Sequence, residues 1–180
     1  LDNLDAAIRF AQGLIEGGMA PKGVKSPGAV VGLIEAGKEL GLAPMYALSN
    51  LTFTNGRLGI MGDASKALIR KAGVLEPGTD FAETYSGEEF TANWTCTVTA
   101  HRKGQPKPFE SSFSIGNALA AKLIQLKDRK ILTHSRDGGW GEYGAPWSAY
   151  TKRMLMYRAL GFLVRDRFSD ILGGAVLTEE

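Results

Sequence analysis

The segment from Pro146 to Asp170, PWSAYTKRMLMYRALGFLVRDRFSD, constrains the fold of this chain more than any other stretch. Placed at 100° per residue, it makes a long helix with two different faces. Ala149, Met156, Leu160 and Leu163 share one side and form an apolar stripe suited to a core. Trp147, Thr151, Met154, Arg158, Gly161 and Arg165 share the opposite side, with two guanidinium groups on one line. An arginine withdrawn from water without a partner is costly, so this stripe is expected to face carboxylates or an anionic ligand. Lys152, Arg153 and Arg167 add positive charge beside it. Such a helix is suited to lie along something negative.

The whole-chain net charge of +2 conceals a division. Residues 1–100 carry eight Lys and Arg against eleven Asp and Glu, whereas residues 101–168 carry thirteen against five. A cationic block of that size attracts polyanions whatever the total. A solvated basic surface without a ligand is the plainer alternative. At 180 residues, with 44% apolar residues, the chain can bury one core and reads as a single domain, 1–180. Opening on Leu1 and closing on Glu179 and Glu180, it reads as a core excised from a longer protein with further terminal segments. The single Cys96 leaves no disulfide framework, which fits a reducing, cytoplasmic compartment. No apolar run approaches the ~20 residues that span a bilayer, and no signal peptide is visible.

Upstream, Leu4, Ile8, Ala11, Leu14 and Ile15 repeat at helical spacing, and Gly17 and Gly18 stop that helix. Ser26 and Pro27 start a second helix running to about Gly41, with Val30, Leu33, Ile34 and Gly37 inward. Asn55-Gly56 lies between two short β-prone runs, the pattern of a type I′ hairpin. Asp63 is placed to cap a helix from Ala64 to about Ala72. Phe90 to His101 alternates, with Ala92, Trp94, Cys96, Val98 and Ala100 on one side and polar residues on the other. That is a strand with one wet face, paired through a turn at 102–106 with a second strand ending near Phe113. Ser114 caps a helix expected to carry Ile115, Leu119, Leu123 and Leu126 inside. Residues 127–146 are the least regular. Grouped helices and hairpins predict an α+β fold, with antiparallel hairpins or a small sheet packed against about five helices.

Several motifs fail on inspection. Residues 18–26, GMAPKGVKS, approach a phosphate-binding P-loop, but Val24 stands where Lys is needed, and the run follows a helix. ATP hydrolysis is therefore not expected. Gly139, Gly141 and Gly144 satisfy G-x-G-x-x-G without a surrounding βαβ unit, so a flexible loop with Trp140 and Tyr143 is expected instead. His101 and His134 have no partners at metal-ligand spacing, and Cys96 alternates inward beside Trp94 as an inert thiol. Glu83, Glu88 and Glu89 read as a solvated turn rather than a metal nuclease site. No catalytic residues, metal or cofactor are assigned, and the chain reads as a non-enzyme.

With those residues in view, the chain resembles the RecT/Redβ family of phage single-strand annealing proteins over nearly its whole length. Residues Gly37 to Leu48, GKELGLAPMYAL, resemble the signature G-x-E-L-G-L-x-P-M-x-A-L. Asn55-Gly56-Arg57, Gly62-Asp63-Ala64 and Ala67-Leu68-Ile69 resemble the block N-G-R…G-D-A…A-L-I. Arg102-Lys103-Gly104 with Phe113-Ser114-Ile115 is similar to its R-K-G…F-S-V hairpin exit. Pro146-Trp147, Tyr150, Lys152 to Leu155, Arg158-Ala159, Arg165-Asp166, Phe168, Gly174 and Glu179-Glu180 resemble its closing helix. Thr151 stands where that family often has Pro, Ser169 where Pro commonly precedes Asp170, and Lys127–Gly144 is long.

The resemblance implies ATP-independent binding of single-stranded DNA and annealing of complementary strands through a duplex intermediate, in phage recombination within a bacterial cytoplasm. It also implies a ring or helical filament of subunits, with a phage exonuclease or host single-strand binding protein as companions. Arg158 and Arg165 are the expected phosphate contacts. Thr151 shares their stripe, Lys152, Arg153, Lys122, Lys127, Arg129 and Lys130 extend the groove, and Lys66 and Arg70 line its far wall. Trp147 and Tyr150 either stack on bases or anchor the helix start in the core. Arg158 could instead pair with Asp166, Asp170 or Glu179. The competing reading is an assembly protein whose basic face docks an acidic protein partner.

Overall fold

The computed structural model describes residues 3–21, 23–54, 56–135 and 138–178; the expected cap Ser26 starts its second helix, and Asn3, not read as a cap from the sequence, starts its first. The Asn3 side chain accepts the Ala6 amide to open α1 (Leu4–Glu16), and Ser26 accepts the Ala29 amide to open α2 (Pro27–Glu39). Ala11, Leu14, Val30, Leu33, Ile34 and Gly37 are buried, as their spacing requires. A further helix, α3 (Pro44–Asn50), was not read from the sequence. It crosses α2 so closely that a Cβ on Gly37 would lie 2.3 Å from the Ala47 Cβ.

Strands β1 (Leu51–Thr54) and β2 (Arg57–Met61) form the expected antiparallel hairpin. Gly56 takes φ +74° in its turn, while Asn55 lies outside the described residues. Helix α4 (Gly62–Lys71) starts earlier than predicted. Met61, not Asp63, holds the N-cap position, and Asp63 falls in the first turn, where its charge suits the helix dipole. The reason is tertiary: Gly62 lies against the Tyr157 ring, with 2.3 Å left for any Cβ.

Strands β3 (Ala82–Ser86), β4 (Thr95–Ala100) and β5 (Phe109–Ser114) form an antiparallel sheet in that order. The predicted alternation survives in β4, with Cys96, Val98 and Ala100 buried between half-buried threonines. The strand is shorter than expected at its start. Gly87 and Phe90 both take positive φ, so the chain turns there before Trp94 enters the core. Helix α5 (Ile115–Ala120) has a capping box from Ser114 and Asn117 but stops well short of Leu126. Lys122, at φ +56°, closes it, and the Leu123 amide bonds back to the Ala118 carbonyl. The residues expected as irregular hold an antiparallel sheet of β6 (Gln125–Lys127), β7 (Lys130–His134) and β8 (Trp140–Gly141).

The long closing helix is broken at Tyr150 into α6 (Pro146–Ala149) and α7 (Thr151–Arg167). Strand β9 (Val176–Thr178) then pairs in parallel with β2. The fold is α+β, with seven helices among the described residues rather than about five. No helix is long and apolar enough to cross a membrane among those residues.

Helix α7 is buried nearly all round, and this overturns the single apolar stripe read from the sequence. Against one side lie β4 and β5, where Phe113 meets Trp147 and Phe162. Against the other lie α4 and β9, where Tyr157 covers Gly62 and Leu177 covers Gly161. Thr151, Met154, Leu155, Tyr157, Leu160, Leu163 and Val164 are all buried. Arg102, in the turn after β4, then fastens the helix end. Its guanidinium donates to both Asp170 carboxylate oxygens, at 2.8 and 2.5 Å, and to the Arg167 carbonyl.

Two outcomes follow from this packing. Gly37→Ala should lower unfolding free energy by about 1–3 kcal/mol in urea melts, because α2 and α3 must separate to admit the methyl. The Arg102 bond holds the Asp170 carboxyl below the usual carboxylate range, so the latch is present above about pH 4 and lost as pH falls through the lowered value. Asp170→Asn should cost about 1 kcal/mol at neutral pH, since the carboxylate is half exposed, and the difference should vanish in acid.

Candidate functional site

Strand β3 forms one wall of a broad cleft, and the α6–α7 junction forms the other. This cleft holds about 570 Å³ and is lined by Glu83, Tyr85, Glu89 and Phe90 on one side and by Ser148 to Arg153 on the other. Through shared Glu83 and Met156 it adjoins a smaller recess of about 80 Å³, lined by Lys66, Arg70 and Phe81. The two together make a trough along β3. Its cations come from α7 (Lys152, Arg153) and α4 (Lys66, Arg70), two helices held together by the Tyr157–Gly62 contact.

Each cation in the trough is positioned by an aromatic ring or a carboxylate. The Lys152 ammonium lies 4.4 Å from the centre of the Tyr85 ring. The Tyr85 hydroxyl donates to Glu83 at 2.9 Å, and burial, reinforced by that carboxylate, pushes its pKa upward, so it stays a donor. Arg153 donates to the Tyr157 hydroxyl at 2.5 Å and reaches Asp63 at 3.4 Å. Burial raises the Tyr157 pKa, and Asp63 pushes the same way. Lys66 also approaches Asp63, at 3.3 Å. Arg70 bonds Asp80 at 2.9 Å, which holds that carboxyl below its ordinary range, and lies 6.0 Å from the Phe81 ring centre. Arg70 and Arg153 remain 47% and 50% exposed, so these pairs are screened surface pairs that contribute little stability and can exchange partners.

Tyr150 stands at the rim, 66% exposed, because the break between α6 and α7 turns it outward. Its neighbours in sequence behave differently. Trp147 is a core anchor against Phe113, only 7% exposed, and so cannot stack on bases. Thr151 is buried too, its hydroxyl donating to the Trp147 carbonyl at 2.6 Å, so it borders the cleft with that donor already engaged. The apolar demand of two packing surfaces decided both positions.

The β6–β7 hairpin tip meets the turn that borders the cleft. Arg129 donates to the Glu88 carboxylate at 2.6 Å and to the Glu89 carbonyl at 2.7 Å, next to the Glu89 that lines the cleft. Lys127 and Lys130 pair across the strands just behind it, and Lys130 meets Glu142 at 2.8 Å. Lys122 is exposed at the end of α5 and does not line the trough. Arg158 and Arg165 do not either. They border a separate recess of about 100 Å³ with Phe162, Val176 and Leu177, on the β9 side of α7. Arg165 lies 3.6 Å from Asp166 and over the Phe162 ring. Of the acidic partners considered for Arg158, Asp170 bonds Arg102 and Asp166 lies beside Arg165, while Glu179 is outside the described residues.

Sequence reasoning missed the wall made by Glu83, Tyr85 and Phe90, because β3 is a short edge strand with exposed residues and no apolar alternation. The alternation of Glu83 and Tyr85 around Thr84 was the only available sign. Cys96 is buried beneath this wall, and burial pushes its thiol pKa up. His101 bonds the Gln105 carbonyl, and His134 closes β7. Among the described residues, no three His, Cys, Asp or Glu side chains are grouped to hold a metal ion. No protein-family model and no curated protein matches this chain.

Proposed function

We propose that this protein binds single-stranded DNA along the β3–α7 trough and promotes annealing of complementary strands without nucleotide hydrolysis. The observation that carries the reading is the placement of Lys152 and Arg153 on one cleft and of Lys66 and Arg70 on the recess adjoining it, with Tyr150 at the cleft's rim and Arg129 bonded to Glu88 and Glu89 beside it. Phosphates laid there would exchange with the carboxylates now paired to these cations. Exposed ion pairs contribute about 0–1 kcal/mol each, while a bound polyanion gains from counterion release at every contact. The acidic neighbours Asp63, Asp80 and Glu83 would temper affinity, which suits a protein that must release its duplex product. Neutralised phosphates repel an incoming strand less, and base pairing supplies the free energy of annealing. The sequence resemblance to phage annealing proteins supports the same reading, including assembly of several copies and action in a bacterial cytoplasm beside an exonuclease.

An annealing assay without nucleotide, run across ionic strength, tests this directly. Log affinity for an oligonucleotide should fall with log salt at ~0.7 per phosphate contact, and Lys152→Ala with Arg153→Ala should flatten the slope by about 1.4. Arg158→Ala with Arg165→Ala examines the other face of α7; a flattened slope there would move the strand's path to the β9 recess. Glu83→Gln should tighten binding by up to about fivefold at low salt, since it removes a repelling charge. Salt-insensitive binding together with unaccelerated annealing would sink the proposal.

A further inference from the structure

The outer face of the β6–β7–β8 sheet holds a combination that the trough does not use. Along β7, Ile131 and Thr133 enter the core, so Lys130, Leu132 and His134 point the other way. Antiparallel register sets Lys127 opposite Lys130 and Trp140 opposite His134. One end of this face therefore carries two ammonium groups. The other carries an imidazole and an indole with ring centres 3.9 Å apart. Lys130 and His134 are four residues apart on one strand, or about 13 Å. Of the three tryptophans, Trp94 and Trp147 are buried, and Trp140 alone is part-exposed.

The glycines around Trp140 have a structural role of their own. The Tyr143 ring lies against the reverse side of β8, where a Cβ on Gly141 would sit 2.8 Å from it. The G-x-G-x-x-G spacing thus lets a ring lock the strand from behind, leaving Trp140 presented outward. Nothing in this arrangement cradles a phosphate by backbone amides.

We propose that this face is a base-stacking platform, on which unpaired nucleobases of a single strand stack on Trp140 and His134 while Lys127 and Lys130 hold adjoining phosphates. The inference rests on the single-strand reading above and names a second contact surface for the same ligand. Every base offers a π-face, so an aromatic pair at one end of a cationic sheet accepts single strands with little regard to sequence. A duplex keeps its base faces covered and would be refused. Glu142 contacts Lys130 and would yield to phosphate, and Arg129 joins the hairpin tip to the loop bordering the trough. A strand leaving the trough can thereby pass onto the sheet.

The test compares a thymidine oligomer with an abasic oligomer of equal length, which has the phosphates but no bases. Binding is read by anisotropy of the labelled strand, and stacking by quenching of the protein's tryptophan emission. The thymidine oligomer should quench emission and the abasic one should not, with the quench lost in Trp140→Phe. Trp140→Ala with His134→Ala should weaken the thymidine oligomer by roughly five- to a hundredfold and leave the abasic oligomer unchanged. Near-ultraviolet dichroism checks that the variant keeps its fold; one that loses it is replaced by Trp140→Phe and Lys127→Ala, judged on quench and affinity alone. Binding of both oligomers with equal affinity and no quench would overturn the platform and leave the trough intact. Binding of neither would remove the trough and, with it, the platform.

Discussion

Everything that bears on function here depends on the burial of α7 between two layers. A helix covered on one side can offer the other to a ligand, but this one is covered by β4 and β5 on one side and by α4 and β9 on the other. Each fully buried Leu or Ile contributes roughly 1.5–3 kcal/mol, and Leu155, Leu160 and Leu163 all lie at this junction. The helix therefore acts as a bolt through the fold. Its exposed charged groups emerge near its two ends, at Lys152 and Arg153 by the start and at Arg165, Asp166 and Arg167 by the finish, with Arg158 half-buried between them. The trough exists because β3 and α4 both border the first of these ends.

The electrostatics around Arg70 and Arg153 are those of a surface, while Lys66, 19% exposed, is the more enclosed of the trough's cations. Arg70, Arg129 and Arg153 each meet a carboxylate, yet every one of these pairs is half open to water. In that setting a pair holds a side chain in place without committing it, because screening leaves little net energy to lose. Aromatic rings do part of the same positioning at Lys152 and Arg153 without any opposing charge. Arg102, by contrast, bonds two carboxylate oxygens and a backbone carbonyl and serves structure instead. Positive charge in the latter part of the chain is thus divided between fastening the fold and facing outward.

Where the chain conformed to ordinary local rules, its elements were legible. Ser26-Pro27, Ser114 and the alternation around Cys96 mark caps and a strand that are all present. The early end of α5, the late start of β4 and the unread β6–β7 hairpin share a physical cause. Phe90, Lys122, Asp128 and Arg129 all take positive φ without being glycine, a conformation that costs free energy locally and leaves no compositional trace. Lys122 ends α5 early, and Asp128 with Arg129 makes the two-residue turn of the β6–β7 hairpin. A reader expecting glycine at such places sees a longer helix and an irregular loop. Tertiary packing holds these residues where local preference would not.

The amino-acid order by itself determined the α+β class, the caps at Ser26 and Ser114, the inward face of α2 and β4, and the concentration of cations after residue 100. Those follow from periodicity, capping chemistry and charge count, which are local properties. Only the tertiary structure decided which cations share a surface. Trp147 and Thr151 went inward because two layers compete for α7, Arg158 and Arg165 went to the β9 side, and Lys66 and Arg70 joined Lys152 and Arg153 because Tyr157 lies on Gly62. A helical wheel gives each side chain an angle. It takes the packed neighbours on both sides to say which angles meet water.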